Sequence, residues 1–184
     1  MSVDGPPPER GEVDEVLRRL IRDVPDFPKP GIVFKDLMPL FADGAAFRQV
    51  IDGIVAHHGA GSFDVVAGIE ARGFVLAAAV AYATGVGVVP VRKAGKLPRE
   101  THAVSYALEY GEATLEVHRD GIAPGDRVML VDDVLATGGT VAATRQLVEQ
   151  CGGTAVGVAV LMELGFLPGR EATGDLPVTA LVTV

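Results

Sequence analysis

Several residue types that identify particular classes of protein are rare in this sequence. It has one cysteine and no tryptophan, and aromatic residues make up 5% of its 184 residues. A single cysteine excludes an intramolecular disulfide, so we expect a reducing compartment and place the protein in the cytoplasm. Positive charge is also scarce, since 16 Lys and Arg face 24 Asp and Glu and leave a net charge of −8. This balance argues against a nucleic-acid partner, which normally requires a basic face.

Long hydrophobic runs are missing as well. The longest apolar stretch, residues 74–83, is too short to span a bilayer, and residues 1–10 lack the apolar centre of a signal peptide. We therefore expect no membrane partner. The sequence is instead rich in small apolar residues, with 48% hydrophobic residues and 23 glycines. A chain of this length can bury roughly 70% of its unfolded surface in one domain.

The order of patterns along the chain predicts an α/β fold. Residues 1–11, with three consecutive prolines, are expected to be a disordered tail before a single domain at 12–184. A first helix and a proline-rich loop at 24–31 follow, and from residue 63 short apolar strands alternate with helices. This alternation predicts a central, mostly parallel sheet flanked by helices, whose ligands bind beyond the carboxyl ends of the strands. We expect strands at 63–68, 87–92, 128–132, 155–161 and 178–184, helices at 73–84 and 140–150, and a β-excursion at 104–118.

The run at residues 128–140 is the most informative part of the sequence. It has the pattern of a buried strand that ends in two acids, Asp132 and Asp133, and then of a small-residue loop that begins a helix. A helix N-terminus with glycines and hydroxyl donors binds phosphate, and paired acids suit sugar hydroxyls or a hard cation such as Mg²⁺. The combination points to a phosphorylated ribose, although an acidic strand end and a glycine turn also occur as plain connections. We call these five residues the phosphate loop: Ala136, Thr137, Gly138, Gly139 and Thr140. They match neither a Walker A loop nor a GxGxxG fingerprint.

Three further segments fall where predicted strands end or between them. Residues 68–73 offer a second helix N-terminus and Arg72, which suits an anion but also fits an ordinary turn with a solvated arginine. Residues 92–99 hold four cations and fit either a pyrophosphate site or a solvated charge run. Residues 105–111 fit either a lid that excludes water or an ordinary hairpin.

Taken together, these segments resemble the type I phosphoribosyltransferase family, and within it the adenine phosphoribosyltransferases. The run at 128–140 is similar to the family's signature for 5-phosphoribosyl-1-pyrophosphate. The blocks that narrow the resemblance to adenine are the proline-rich 21–36, 91–98 and 106–111, and the similarity covers roughly residues 18–165. It implies the type I fold, with a β-rich hood from about 24–40 and the C-terminal segment, and a flexible loop at about 93–112.

The resemblance also implies an activity in purine salvage. A pentosyltransferase of this family moves the 5-phosphoribosyl group to adenine with Mg²⁺ and yields AMP and pyrophosphate, commonly as a homodimer. The phosphate loop would hold the ribose 5′-phosphate. Asp132 and Asp133 would face the ribose hydroxyls, with Mg²⁺ nearby and held mainly through the substrate. Arg72 and Lys93 would contact pyrophosphate, and Lys93 is often supplied by the partner subunit in this family.

The base site follows from the same resemblance. Phe34 would stack on adenine, and the backbone groups of Val33 and Lys35 would read its edge. Glu109 and Tyr110 would lie on the flexible loop, with Glu109 a candidate acid–base group near the purine. Adenine N9 would then attack ribose C1 as pyrophosphate leaves, through an oxocarbenium-like transition state.

Two alternatives stay open at the level of the sequence. One is a phosphoribosyltransferase for a 6-oxopurine, which needs a hydrogen-bond donor at the 6-position where adenine needs an acceptor. The other is a non-catalytic regulator built on the same fold. That hypothesis predicts an added DNA-binding domain and a basic face, which the short N-terminal tail and the net charge of −8 do not favour.

Overall fold

A computed structural model describes residues 10–107 and 111–184. Its helices, in chain order, are α1 Arg10–Leu20, α2 Met38–Ala42, α3 Gly44–His58, α4 Gly73–Thr84, α5 Gly139–Gln150 and α6 Gly169–Thr173. Its strands are β1 Arg22–Pro25, β2 Val33–Asp36, β3 Val65–Ile69, β4 Gly87–Lys93, β5 Thr101–Ala107, β6 Glu112–His118, β7 Arg127–Leu135, β8 Thr154–Glu163 and β9 Val178–Thr183. None of these described helices is long and apolar enough to cross a bilayer.

The centre of the molecule is a seven-stranded sheet with the order β5-β6-β4-β3-β7-β8-β9. Strands β4, β3, β7, β8 and β9 are parallel, while β6 joins β4 and β5 in antiparallel pairs at one edge. Helices cover both faces: α1, α3 and α4 contribute to one apolar core, and α5 contributes to the other. The predicted α/β fold with a mostly parallel sheet is confirmed, and the predicted β-excursion forms the antiparallel edge.

Strand β7 lies in the middle of the sheet, between β3 and β8. Its apolar residues are buried on both faces, as expected for the central strand of a parallel sheet. The strand is longer than predicted, because Val134 and Leu135 continue the pairing with β8. Asp132 and Asp133 therefore lie inside the strand, and the prediction that they end it is wrong.

The first part of the chain differs from the prediction in two places. Helix α1 begins at Arg10, so residues 10 and 11 belong to a helix and not to the predicted tail. The proline-rich loop connects the strands of a small antiparallel hairpin, β1–β2, which is a separate two-stranded sheet. We call this element, residues 22–36, the hood hairpin. Pro25 is accommodated because β1 has only one partner strand, so its missing N–H can face away from the pairing.

The C-terminal segment does not form part of a hood. Strand β9 pairs with β8 at the edge of the central sheet, and four of its six residues are buried. The short helix α6, which the sequence pattern did not indicate, precedes β9 and packs beside the phosphate loop. This position matters for the site described next.

Candidate active site

The acids of β7 and the turn that contains Arg72 lie side by side toward the carboxyl ends of two central strands of the sheet. Strands β3 and β7 are parallel neighbours, so their carboxyl ends meet there. Helix α4 starts so close to β7 that a Cβ atom on Gly73 would lie 2.8 Å from the Val131 carbonyl oxygen and 3.1 Å from Asp132 Oδ1. Only glycine permits this approach, and it brings the start of α4 against the two acids.

The two acids are buried and share one cation. Asp132 is 7% exposed and Asp133 6%. Asp132 Oδ1 accepts a hydrogen bond of 2.8 Å from the backbone N–H of Asp133, and Arg72 Nη2 lies 2.8 Å from Asp133 Oδ2. That buried oxygen has no aligned hydrogen-bond donor, so its contact with Arg72 is an ion pair without hydrogen-bond geometry.

Negative charge is in excess at this point of the structure. Burial raises the pKa of the Asp132 carboxyl well above its usual range, and the neighbouring charge of Asp133 adds to the effect. One arginine does not neutralise two buried carboxylates. The pair therefore suits a ligand that brings hydroxyl donors or a cation.

Arg72 also contacts the residue predicted to stack on the base. Its guanidinium carbon lies 5.0 Å from the centre of the Phe34 ring, within the range of a cation–π contact. Phe27 packs edge-on against the same ring, with centroids 5.1 Å apart, and Lys35 Nζ lies 2.6 Å from Asp23 Oδ1 across the hood hairpin. Arg72 thus links the acids of β7 to the hood hairpin, where Val33, Phe34 and Lys35 lie on β2.

The phosphate loop connects β7 to the N-terminus of α5, as predicted. Gly138 has a φ of 79° and lies directly before the helix, with no side-chain hydrogen bond capping the end. The backbone N–H groups of the first turn are therefore available to an anion. A Cβ atom on Gly138 would lie 2.5 Å from the Gly169 carbonyl oxygen, and one on Gly139 would lie 2.9 Å from Tyr106 Cδ2. The loop is enclosed on one side by α6 and on the other by β5.

The basic segment at 92–99 is largely neutralised by acids of its own chain. Glu70 receives Arg92 Nε at 3.3 Å and the backbone N–H of Lys93 at 3.0 Å, and it also pairs with Lys96. Burial acts to raise the pKa of Glu70, but the hydrogen bonds from Lys96 and Lys93 lower it overall.

Arg99 pairs with Asp120. Among the described residues, the side chain of Lys93 alone in this segment has no acidic partner. Three cations of the segment therefore have internal acidic partners, and compensation of pyrophosphate charge by this segment stays a prediction.

Two predicted residues, Glu109 and Tyr110, lie outside the described residues, as does Leu108. Strands β5 and β6 on either side of them are paired from Thr101–His118 to Ala107–Glu112. The carbonyl oxygen of Ala107 would lie 3.8 Å from a Cβ atom on Gly139. Strand β5 thus ends directly beside the phosphate loop.

The structure adds residues to which sequence reasoning gave no role. Glu70 holds the basic segment, Tyr106 packs on Gly139, and Glu163 forms a two-pronged ion pair with Arg170 beside the phosphate loop. One of them had a signal in the sequence: Glu163 comes directly after an apolar run of residues, as Asp132 and Asp133 do. In the described part of the chain no three His, Cys, Asp or Glu side chains come together as a metal site.

Comparison with known proteins agrees with this geometry. The family described as the phosphoribosyl transferase domain matches residues 41–176. The adenine phosphoribosyltransferase of Salinispora tropica is 68% identical over 173 residues, which cover 94% of this chain and 92% of the relative. The chain belongs to the adenine phosphoribosyltransferase family.

Solved structures extend the similarity to the fold. The adenine phosphoribosyltransferase of Thermoanaerobacter pseudethanolicus superposes with a TM-score of 0.89 at 46% identity, covering 92% of this chain and 99% of that one. The Saccharomyces cerevisiae enzyme, complexed with an imino-altritol bisphosphate and adenine, superposes with a TM-score of 0.87 at 38% identity, covering 94% and 99% of the two chains. The predicted family and the type I fold are confirmed.

Proposed function

We propose that this chain transfers the 5-phosphoribosyl group from 5-phosphoribosyl-1-pyrophosphate to adenine and releases AMP and pyrophosphate. One observation carries the proposal: Arg72 touches both Asp133 and Phe34. This contact joins an acidic sugar site and an aromatic base site around a single cation. The relatives named adenine phosphoribosyltransferase support the same reaction.

The ribose 5′-phosphate binds at the phosphate loop. The uncapped N–H groups at the start of α5 and the positive end of its dipole supply the attraction. Thr137 and Thr140 add hydroxyl donors. The ribose hydroxyls face Asp132 and Asp133, whose carboxylate oxygens accept their hydrogen bonds.

The acid pair also fits Mg²⁺ carried by the substrate. Mg²⁺ in phosphate sites is commonly bound by one or two carboxylates together with substrate oxygens. Asp133 Oδ2 is a buried oxygen without an aligned donor, and there is no third acid near enough to complete a cage of protein ligands among the described residues. Asp132 and Asp133 would hold the ion from one side, and it would neutralise charge on the leaving pyrophosphate.

The residues of the chain then stabilise and orient the reacting groups. Arg72, together with Lys93 of the basic segment, faces the pyrophosphate that develops negative charge as the C1–oxygen bond breaks. Phe34 stacks on adenine and holds N9 in line with C1. Glu109 is proposed as the acid–base group that takes up the N9 proton of the purine.

Discrimination between bases is assigned to the hood hairpin. The backbone of Val33 and Lys35 on either side of Phe34 presents hydrogen-bond groups to the purine edge. A 6-oxopurine needs a donor where adenine needs an acceptor, and a polar site rejects a ligand that leaves its groups unpaired. The name adenine phosphoribosyltransferase of the relatives supports adenine as the acceptor.

The active form is proposed to be a homodimer. Helix α4 exposes an apolar row formed by Val75, Ala78 and Tyr82, and Val88 of the neighbouring β4 is also exposed. Large apolar side chains at helical spacing indicate a protein interface. Lys93 lies at the end of β4, and the family resemblance implies that this lysine is supplied to the partner's site. Light scattering at micromolar concentration should give the mass of a dimer.

A cytoplasmic location belongs to the same proposal. It is supported by Cys151, which is buried and free. Fractionation of cells that express the tagged chain should recover it with the cytoplasmic proteins.

The test of the reaction is an AMP-forming assay run with adenine, hypoxanthine, guanine and xanthine in parallel, with Mg²⁺ and the activated ribose. We expect adenine to be the preferred acceptor by at least ~100-fold in kcat/KM. Preference for a 6-oxopurine would overturn the base assignment. No product with any base would instead favour the regulator hypothesis.

A further inference from the structure

The back of the phosphate loop rests on helix α6. A Cβ atom on Gly169, the first residue of α6, would overlap the Ala136 carbonyl oxygen and would lie 2.9 Å from Leu135 Cγ. In the other direction, a Cβ atom on Gly138 would lie 2.5 Å from the Gly169 carbonyl oxygen and 2.6 Å from Ala172 Cβ. In both contacts the backbone of α6 lies directly against the backbone of the loop, so a movement of Gly169 would pass directly to Ala136 and Gly138.

An ion pair next to Gly169 fixes the position of α6. Glu163 ends β8 and is 8% exposed. Its two carboxylate oxygens accept hydrogen bonds from Arg170 Nε at 2.7 Å and Nη2 at 2.8 Å. A third donor, Arg170 Nη1, reaches the Val178 carbonyl oxygen at the start of β9, 3.2 Å away. One guanidinium thus attaches the start of α6 to two strands of the central sheet.

This attachment depends on the shape of arginine. The planar guanidinium matches both carboxylate oxygens and still has a donor for the backbone, whereas a lysine ammonium is a single point charge. Glu163 belongs to β8, which pairs with β7 up to Leu135–Glu163. Glu163 therefore lies beside Leu135, the last residue before the phosphate loop.

We propose that Glu163 and Arg170 are positioning residues for the 5′-phosphate subsite and that they act on it through Gly169. They hold α6 against the back of the phosphate loop and so fix the directions of its N–H groups. Neither residue touches the substrate in this proposal, which rests on the assignment of the phosphate loop in the proposed function.

The proposal makes a distinction between ligands. Affinity should fall for every ligand that carries a 5′-phosphate, which includes 5-phosphoribosyl-1-pyrophosphate, AMP and ribose 5-phosphate. Affinity for adenine should stay the same, because α6 packs on the phosphate loop, whereas the base is assigned to the hood hairpin. A general loosening of the fold would not separate the ligands in this way.

The experiment compares Arg170→Lys and Glu163→Gln with a control at the other end of α6. Arg145 Nη1 pairs with Asp175 Oδ1 at 2.7 Å, just after α6 and away from the loop, so Arg145→Lys is the matched change. Steady-state assays give KM for each substrate, and calorimetry with ribose 5-phosphate gives a dissociation constant that does not depend on turnover. We expect roughly a ten-fold rise in KM for the activated ribose and in the ribose 5-phosphate dissociation constant. The adenine KM and the control should change less than about two-fold.

A double variant, Glu163→Gln with Arg170→Gln, guards against loss of folding, because it leaves no buried carboxylate without a partner. It should show the same ligand pattern. Equal weakening for adenine and ribose 5-phosphate, or unchanged ribose 5-phosphate binding in a folded variant, would overturn the proposal. Failure of the proposed function would appear separately, as a wild-type protein that forms no AMP.

Discussion

The two halves of the site are built in opposite ways. The half proposed to bind the sugar phosphate lies on the central strand β7 and the start of α5, where Asp132 and Asp133 are buried and the phosphate loop is enclosed between α6 and β5. The half proposed to bind the base lies on the hood hairpin, whose strands pair only with each other. There Phe27 is 51% exposed and Val33 52%. One half is fixed before any ligand binds, and the other is held mainly by its own pairing and by Arg72.

This difference matches the demands of the two ligands. Phosphate binding and charge stabilisation require donors that do not reorganise during the reaction, which a central strand and a helix N-terminus provide. The base must enter and leave, and an isolated two-stranded hairpin is only marginally stable without further contacts. We infer that Arg72 couples the halves, since it contacts Asp133 on one side and Phe34 on the other.

The largest effect is expected from Asp133→Asn, which breaks the fixed half. The change removes the partner of Arg72 and one of the two charges that face the ribose. The kcat/KM for the activated ribose should fall roughly 100-fold or more, while the free energy of unfolding should fall by about 1 kcal/mol, because Arg72 is partly exposed. Steady-state kinetics and urea unfolding measure the two quantities.

The matched control is Asp64→Asn at the opposite end of β7. Asp64 pairs with Arg127 at 2.8 Å on the surface, away from the site. Its variant should retain the wild-type kcat/KM. Near-normal turnover of the Asp133 variant would mean that the acid pair has been assigned wrongly.

A smaller effect is expected from Phe34→Ala, which breaks the adaptable half. Stacking of a base on an aromatic ring contributes about 1–3 kcal/mol, so KM for adenine should rise roughly ten-fold or more. KM for the activated ribose should change less than about two-fold. Phe27→Ala removes only the edge-on neighbour of that ring and should weaken adenine binding less, by about 0.5–1.5 kcal/mol. An equal rise in both KM values for Phe34→Ala would show that the halves do not act separately.

The features of the site also differ in how well the sequence predicts them. The phosphate loop could be predicted because strand, glycine and helix signals are local, and a helix N-terminus binds anions wherever it occurs. The pairing of Arg72 with Asp133 joins residues 61 positions apart and follows only from the adjacency of β3 and β7. The neutralisation of Arg92 and Lys96 by Glu70 is equally non-local, so the sequence did not indicate that these cations have an acidic partner.

Asp132→Asn tests whether the buried carboxylate of the fixed half lowers the stability of the fold. Because the pKa of Asp132 is raised in the folded state, its contribution to stability is present at low pH and is lost as pH rises through the folded pKa. The neutral side chain should therefore raise the stability of the free protein at pH 7 by about 1 kcal/mol, or roughly 2–4 °C in Tm. Asn can still accept the hydrogen bond from Asp133 N–H. Thermal scans with and without the activated ribose and Mg²⁺ should show a higher Tm without ligand but a smaller ligand-induced rise than the wild type. A lower Tm without ligand would contradict this reading.

The smallest effect on activity is expected at His58, which separates the acid response of the fold from that of either half. His58 ends α3 and packs against Gly157 of β8, where a Cβ atom would lie 3.3 Å from its ring. Burial and the neighbouring His57 lower its pKa from 6.5 to about 4. The unfolded chain therefore takes up the proton first, and stability that is present above pH 6.5 is lost as pH falls toward 4.

After allowance for partial exposure, this loss should be about 1–2 kcal/mol. In His58→Gln, urea unfolding between pH 6.5 and 4 should show a correspondingly shallower decline than in the wild type. The activity profile over the same range should coincide with that of the wild type, because the acid pair and the phosphate loop lie toward the carboxyl ends of the strands, whereas His58 packs against Gly157 near the start of β8. Parallel stability curves would show that His58 does not titrate in this window. A shifted activity profile would mean instead that protonation of His58 affects the fixed half from the opposite end of the sheet. The difference between a rigid and an adaptable half would then depend also on the core beneath them.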